Sequence, residues 1–166
     1  MRDLVAGIVA VFLILSALSL ATALQAYRRR RQRARDSERA LGRTIVAEIP
    51  AANDLILFSQ DGVRFYYGDT SIDKDLIVAV RVLINGSPIA AYVSRRRASE
   101  EQRHPSRFAD REEGIARDRW DVAIETVTGT VLVPCGAIRE RVSQELARTV
   151  FDAVKRDIEG RDLRAS

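Results

Sequence analysis

Residues 76–86 read Leu-Ile-Val-Ala-Val-Arg-Val-Leu-Ile-Asn-Gly. Apolar side chains occupy odd and even positions alike, with Arg81 the exception. Successive side chains of a strand point to opposite faces, so a run of this kind is covered on both sides. Its Val and Ile content favours extended chain. Asn85-Gly86 then turns it, because a tight hairpin needs positive φ at both central residues and these two types tolerate it. The chain returns through Ile89 to Ser94.

Two similar signals flank this one. Leu55-Ile56-Leu57-Phe58-Ser59 leads into Asp61-Gly62 and leaves through Val63-Arg64-Phe65-Tyr66-Tyr67. Trp120 to Val127 leads into Thr128-Gly129 and leaves through Thr130 to Val133. Val122, Ile124 and Thr126 alternate with Asp121, Ala123, Glu125 and Val127, and the first set is expected to point inward. The cover for the central strand is the last element. Ile138, Val142, Leu146, Val150, Val154 and Ile158 recur at helical spacing beside Ala147 and Phe151, which predicts an amphipathic helix of about six turns. Gly160 reads as its stop, leaving 161–166 as a tail. Pro134-Cys135-Gly136 reads as the junction from strand to helix. Thr44 to Ile49 reads either as a last helical turn or as a short strand, closed by Pro50.

Six strands in hairpins followed by one amphipathic helix form a distinctive order. Together with the Asp61-Gly62 hairpin and the run Val131-Leu132-Val133-Pro134 ahead of the helix, it resembles the bacterial pleckstrin-homology-like domains. That resemblance covers residues 44–160. It implies a bent antiparallel sheet or partly open barrel of six to seven strands, capped by the C-terminal helix, with residues 44–49 available as the seventh strand. Family members that bind phosphoinositides carry basic residues around the first hairpin loop. Here that loop reads Gln60-Asp61-Gly62 with only Arg64 nearby, and Trp120 lies on a strand instead of in the last helix. Specific inositide recognition is therefore not expected.

The amino terminus has a different character. Leu4 to Leu24 are 21 uncharged, mostly apolar residues, and Arg28, Arg29, Arg30, Arg31, Arg33 and Arg35 follow. At about 1.5 Å per residue such a helix would span about 30 Å of hydrocarbon. Arginine is costly to carry across a bilayer, so the flank would stay inside. The expectation is a single-pass transmembrane anchor over 1–26, a basic juxtamembrane linker over 27–43 whose arginines meet anionic lipid headgroups, and a cytoplasm-facing domain over 44–160 at the inner membrane. A cleaved secretion signal ending near Ala21-Thr22-Ala23 is the rival. The nearly neutral N-terminus and the arginines directly after the apolar run weigh against it.

Charge is divided unevenly. Residues 1–35 hold seven Arg and one Asp, a net of +6, which leaves 20 basic and 22 acidic residues, a net of −2, for 36–166. Basicity therefore belongs to the flank, and no nucleic-acid partner is expected. With one cysteine and one histidine, the chain offers neither an internal disulfide nor a plausible zinc set, so no metal or cofactor is expected.

Candidate chemistry is sparse. Cys135, read as lying just ahead of a helix, is the candidate reactive thiol, because a helix N-terminus can lower a thiol pKa; the alternative is a small residue filling a tight junction. Asp110, Glu112 and Glu113 cluster in a polar insert, 95–119, among arginines that neutralise them. Arg95-Arg96-Arg97-Ala98-Ser99 resembles a basophilic kinase substrate but reads more simply as an exposed basic loop. Tyr66, Tyr67, Tyr92 and Trp120 fit core or cross-strand pairs as well as a peptide-binding edge. No phosphate loop, nucleophile elbow or metal motif occurs. The expected function is a membrane-anchored, non-catalytic interaction module that binds a protein partner or its own copy through a strand edge or the insert. A thiol enzyme or redox sensor using Cys135 and an outward-facing envelope protein are the alternatives.

Overall fold

The computed structural model describes residues 2–51, 55–97 and 118–164, with side chains of the first helix described from Phe12 onward except at Ile14 and Ala23. Its elements are α1 (Arg2–Ala40), β1 (Thr44–Pro50), β2 (Leu55–Gln60), β3 (Arg64–Tyr67), β4 (Thr70–Asp73), β5 (Ile77–Ile84), β6 (Ser87–Val93), β7 (Arg119–Thr126), β8 (Gly129–Ala137) and α2 (Arg141–Arg164). They form an α+β protein with two antiparallel sheets of four strands, ordered β1-β2-β3-β4 and β6-β5-β7-β8, and a C-terminal helix.

The strand count is eight, not six to seven. Residues 44–50 form a strand, and β4 is an addition. Its signal is Gly68-Asp69, a two-residue turn between Tyr67 and Thr70 with φ +55° at the glycine. Glycine at the first central position is the mark of a type II′ hairpin. Asn85 and Gly86 do take positive φ, 52° and 80°. Asp61-Gly62 works differently. Neither residue has positive φ; instead Asp61 Oδ1 accepts hydrogen bonds from the amides of Val63 (2.7 Å) and Arg64 (2.6 Å), so the carboxylate stands in for a turn backbone.

β5 is buried on both faces. Val80 and Val82 point into the core shared by the two sheets and α2, while Ala79 and Leu83, on the other face, are 0% and 1% exposed. Val122 and Ile124 are buried as expected, but so are Asp121, Ala123 and Glu125. The carboxylates on that second face are paired: Arg81 Nε donates to Glu125 at 2.7 Å, and Arg119 Nε donates to Asp121 Oδ2 at 3.0 Å. Burial drives the Asp121 carboxyl above its ordinary pKa against the pull of Arg119.

α2 lies across β1, β5, β7 and β8, with Ala147, Val150, Val154 and Ile158 in the core. It begins at Arg141 and continues through Gly160 to Arg164, so Gly160 is no stop and residues 161–164 are helix, not tail. Val142, expected inside, is 60% exposed. β8 reaches α2 through Gly136, whose φ of +116° suits glycine, and a Cβ there would stand 2.4 Å from Ser143 Oγ.

The transmembrane anchor, and with it the single-pass, inner-membrane, cytoplasm-facing placement, is not upheld. Among the described residues no helix is long and apolar enough to cross a membrane. α1 runs unbroken from Arg2 to Ala40, so the apolar stretch and the arginine-rich stretch after it belong to one helix. The part of that reading resting on side chains before Phe12 lies outside the described residues.

Candidate interaction surfaces

The last turns of α1 are fastened to the first sheet by charge. Glu48 on β1 accepts hydrogen bonds from Arg31 Nε (2.9 Å) and from Arg35. Burial pushes the Glu48 carboxyl upward, but the two guanidiniums outweigh it and hold its pKa below the usual value. One turn further on, Glu38 accepts from the buried Ser59 hydroxyl on β2 and from Arg43 at 3.2 Å. Arg43 in turn stacks over the Tyr66 ring, 3.6 Å from its centroid. The six flank arginines therefore divide. Arg31 and Arg35 hold the helix to the fold, while Arg28, Arg29, Arg30 and Arg33 are exposed.

Beyond that fastening α1 carries uncovered apolar surface. Leu13, Leu20, Leu24 and Tyr27 are 62%, 73%, 50% and 45% exposed. With Ala17 between them they follow spacings of four, three, four and three residues, the interval that keeps side chains on one seam of a helix. Phe12, Leu15 and Leu18 are exposed as well, with Leu15 and Leu18 on the far side.

Cys135 lies in β8, not at a helix N-terminus, and is 1% exposed. Its weak hydrogen bond goes to the Val133 carbonyl at 3.5 Å. Burial, then the nearby Asp121 carboxylate, pushes the thiol up to about 12. At neutral pH almost none of it is thiolate, the nucleophilic form. Iodoacetamide is therefore expected to leave native Cys135 unlabelled and to modify it only as fast as the chain unfolds, read by mass spectrometry across a urea series. Rapid labelling of the native protein would contradict this burial.

Of the aromatic candidates, Trp120 is buried in the core, and Tyr67 and Tyr92 pack against it. Tyr66 donates its hydroxyl to Asp61 Oδ2 at 2.8 Å. That leaves Asp61 accepting three bonds. The amides of Val63 and Arg64, then the Tyr66 hydroxyl, draw its carboxyl down to about 2 from 3.8. A depressed carboxylate contributes stability above its unfolded pKa and loses it as pH falls through the folded one. The β2–β3 turn is thus expected to hold at pH 4 and loosen with a midpoint near 2, read from the Val63 and Arg64 amide resonances. Asp61→Asn should abolish that titration.

Sequence reasoning missed Lys74, between β4 and β5. It is 5% exposed, and its ammonium donates to Gln60 Oε1 (3.1 Å) and the Asp61 carbonyl (2.8 Å) and pairs with Asp157 of α2 (3.1 Å). Arg161 extends the clasp, donating to Asp157 at 2.7 Å and pairing with Asp75. On the same helix Asp162, also buried, accepts from the Ser94 hydroxyl (2.8 Å) and the Arg95 amide (2.9 Å), tying the chain after β6 to α2. The carboxylates Asp110, Glu112 and Glu113, His104 and most of the 95–119 insert lie outside the described residues. Among the described residues no group of His, Cys, Asp and Glu is arranged to hold a metal ion.

The architecture defines an α+β domain bearing a long, charge-fastened helix. No protein-family model matches the chain, and no curated protein or solved structure resembles it.

Proposed function

We propose that this protein is a non-catalytic interaction module that associates with its own copy through α1. The exposed seam of Leu13, Ala17, Leu20, Leu24 and Tyr27 carries this reading. Contiguous apolar surface of this kind marks an interaction site, and its four-three spacing suits a facing helix better than a flat partner. The ion pairs to Glu48 fix the rod to the domain, so a contact made along α1 brings two domains to a set spacing. The buried, weakly acidic Cys135 favours this over a thiol enzyme or redox sensor. The pleckstrin-homology-like reading belongs to the same proposal. Two antiparallel sheets beside a C-terminal helix support it, whereas eight strands and the β6-β5-β7-β8 order depart from it.

Disulfide scanning of the full chain tests the seam. Leu20 sits at its middle, so Leu20→Cys should cross-link two copies whether the helices run parallel or antiparallel. Thr22→Cys, on the opposite side, should not. Cys135 can stay in place because it is buried. Equal cross-linking at both positions, or none at either, would overturn the proposal, as would a chain that stays monomeric and sediments with lipid vesicles instead.

A further inference from the structure

We propose that the groove between the last turns of α2 and the β2–β3 turn binds a compact oxyanion, a phosphate group above all, between Arg156 and Arg164. The groove has a volume of about 420 Å³ and is lined by Gln60, Gly62, Lys74 and one face of α2 from Ala153 to Arg164. That is the size of a small-ligand site. Four cations face it, Lys74, Arg156, Arg161 and Arg164, against one carboxylate, Asp157.

That carboxylate is already committed. Asp157 holds Lys74 at 3.1 Å and Arg161 at 2.7 Å, and the three donors of the Lys74 ammonium go to Asp157, Gln60 and the Asp61 carbonyl. These two cations frame the groove, but Asp157 and Asp75 balance their charge. Arg156 and Arg164 are different. Among the described residues neither has an ion-pair partner; Arg156 donates only its Nε, to the Asp152 carbonyl at 3.1 Å. Their remaining N–H groups have the planar fork that matches two oxygens of a phosphate.

The glycine between them supplies the second observation. Arg156, Gly160 and Arg164 follow at intervals of four residues, so they share one stripe of the helix. Glycine inside a helix costs about 1 kcal/mol relative to alanine. Packing does not explain it here: nothing lies within 4 Å of where a Cβ at 160 would stand, and its φ is not left-handed. The missing side chain leaves open space on the helix surface between the two guanidiniums, where a compact oxyanion can sit.

The test uses the full chain titrated with inorganic pyrophosphate and followed by calorimetry. Saturable binding is expected, weakened at least tenfold in Arg156→Gln and in Arg164→Gln. Gly160→Leu is the decisive variant, because it fills the gap while every charge stays. It should abolish binding, yet keep or raise the thermal midpoint, since leucine is the better helix former. Vesicles carrying a phosphomonoester headgroup form a second arm, and preference for vesicles or for free pyrophosphate identifies the source of the phosphate. Binding that does not saturate, or that survives Gly160→Leu unchanged, would overturn the proposal in favour of diffuse attraction to a basic surface.

Discussion

Lys74→Met is expected to lower the unfolding free energy by about 3 kcal/mol, measured as a drop in the urea midpoint at unchanged slope. The methionine keeps the length of the stem, so the loss isolates the ammonium. Without it the Asp61 carbonyl and Gln60 lose a donor in a site that is 5% exposed at Lys74, and Asp157 keeps only Arg161. Breaking a buried pair from one side leaves the other charge uncompensated, which is why the effect exceeds that of a surface ion pair by several-fold. The lower end of the range for buried pairs applies, because the Asp157 side chain is 19% exposed and retains a partner. A change below about 1 kcal/mol would mean that the clasp adds no more than a surface pair does.

Phe58→Ala carries the second large effect, about 3–5 kcal/mol, as for other phenylalanines removed from a packed core. Phe58 is 0% exposed and stacks on Phe65 with ring centroids 5.6 Å apart and planes 19° from parallel. The Lys74 ammonium sits 4.4 Å from the Phe65 centroid. Phe65 therefore touches both residues, and the two substitutions should not add. The double variant is expected to lose less than the sum of the singles by at least about 0.5 kcal/mol, the coupling typical of neighbours that share a partner. Strict additivity would show that the ammonium and the stacked ring act independently.

These two sites mark the division between what was legible in the sequence and what was not. Local signals carried the strands. Asn85-Gly86 made the turn its residue types dictate, β5 showed two covered faces because both its parities are apolar, and α2 announced itself by the spacing of Val150, Val154 and Ile158. β4 escaped because Thr70–Asp73 is short and holds one buried apolar residue, Ile72, although Gly68-Asp69 was a readable turn. At Asp61-Gly62 the hairpin was right and the mechanism wrong, since an Asx turn and a positive-φ turn share the same dipeptide.

Long-range chemistry was not legible at all. Lys74 meets Asp157 across 83 positions (157 − 74), and nothing near either residue announces the other. Arg31 and Arg35 belonged to a run that reads as one solvated flank, yet Glu48 takes two of its members. Gly160 reads as a stop because glycine commonly ends helices, but Arg161 and Asp162 have partners of their own, Asp75 in the connection between β4 and β5 and Ser94 just after β6, and the helix runs one turn further. Cys135 looked reactive only while a helix was placed directly after it; β8 runs on to Ala137, and the thiol is sealed in the core.

The length of α1 has a consequence for any measurement of size. Its 39 residues make a rod of about 58 Å. A domain of some hundred residues has a radius of gyration of only about 13 Å. A single copy therefore drags like a much larger sphere, and on a gel-filtration column it should elute well ahead of its 18.6 kDa. Early elution would thus not betray a dimer. Only a method that reports mass independently of shape, such as light scattering or sedimentation equilibrium, can count the copies.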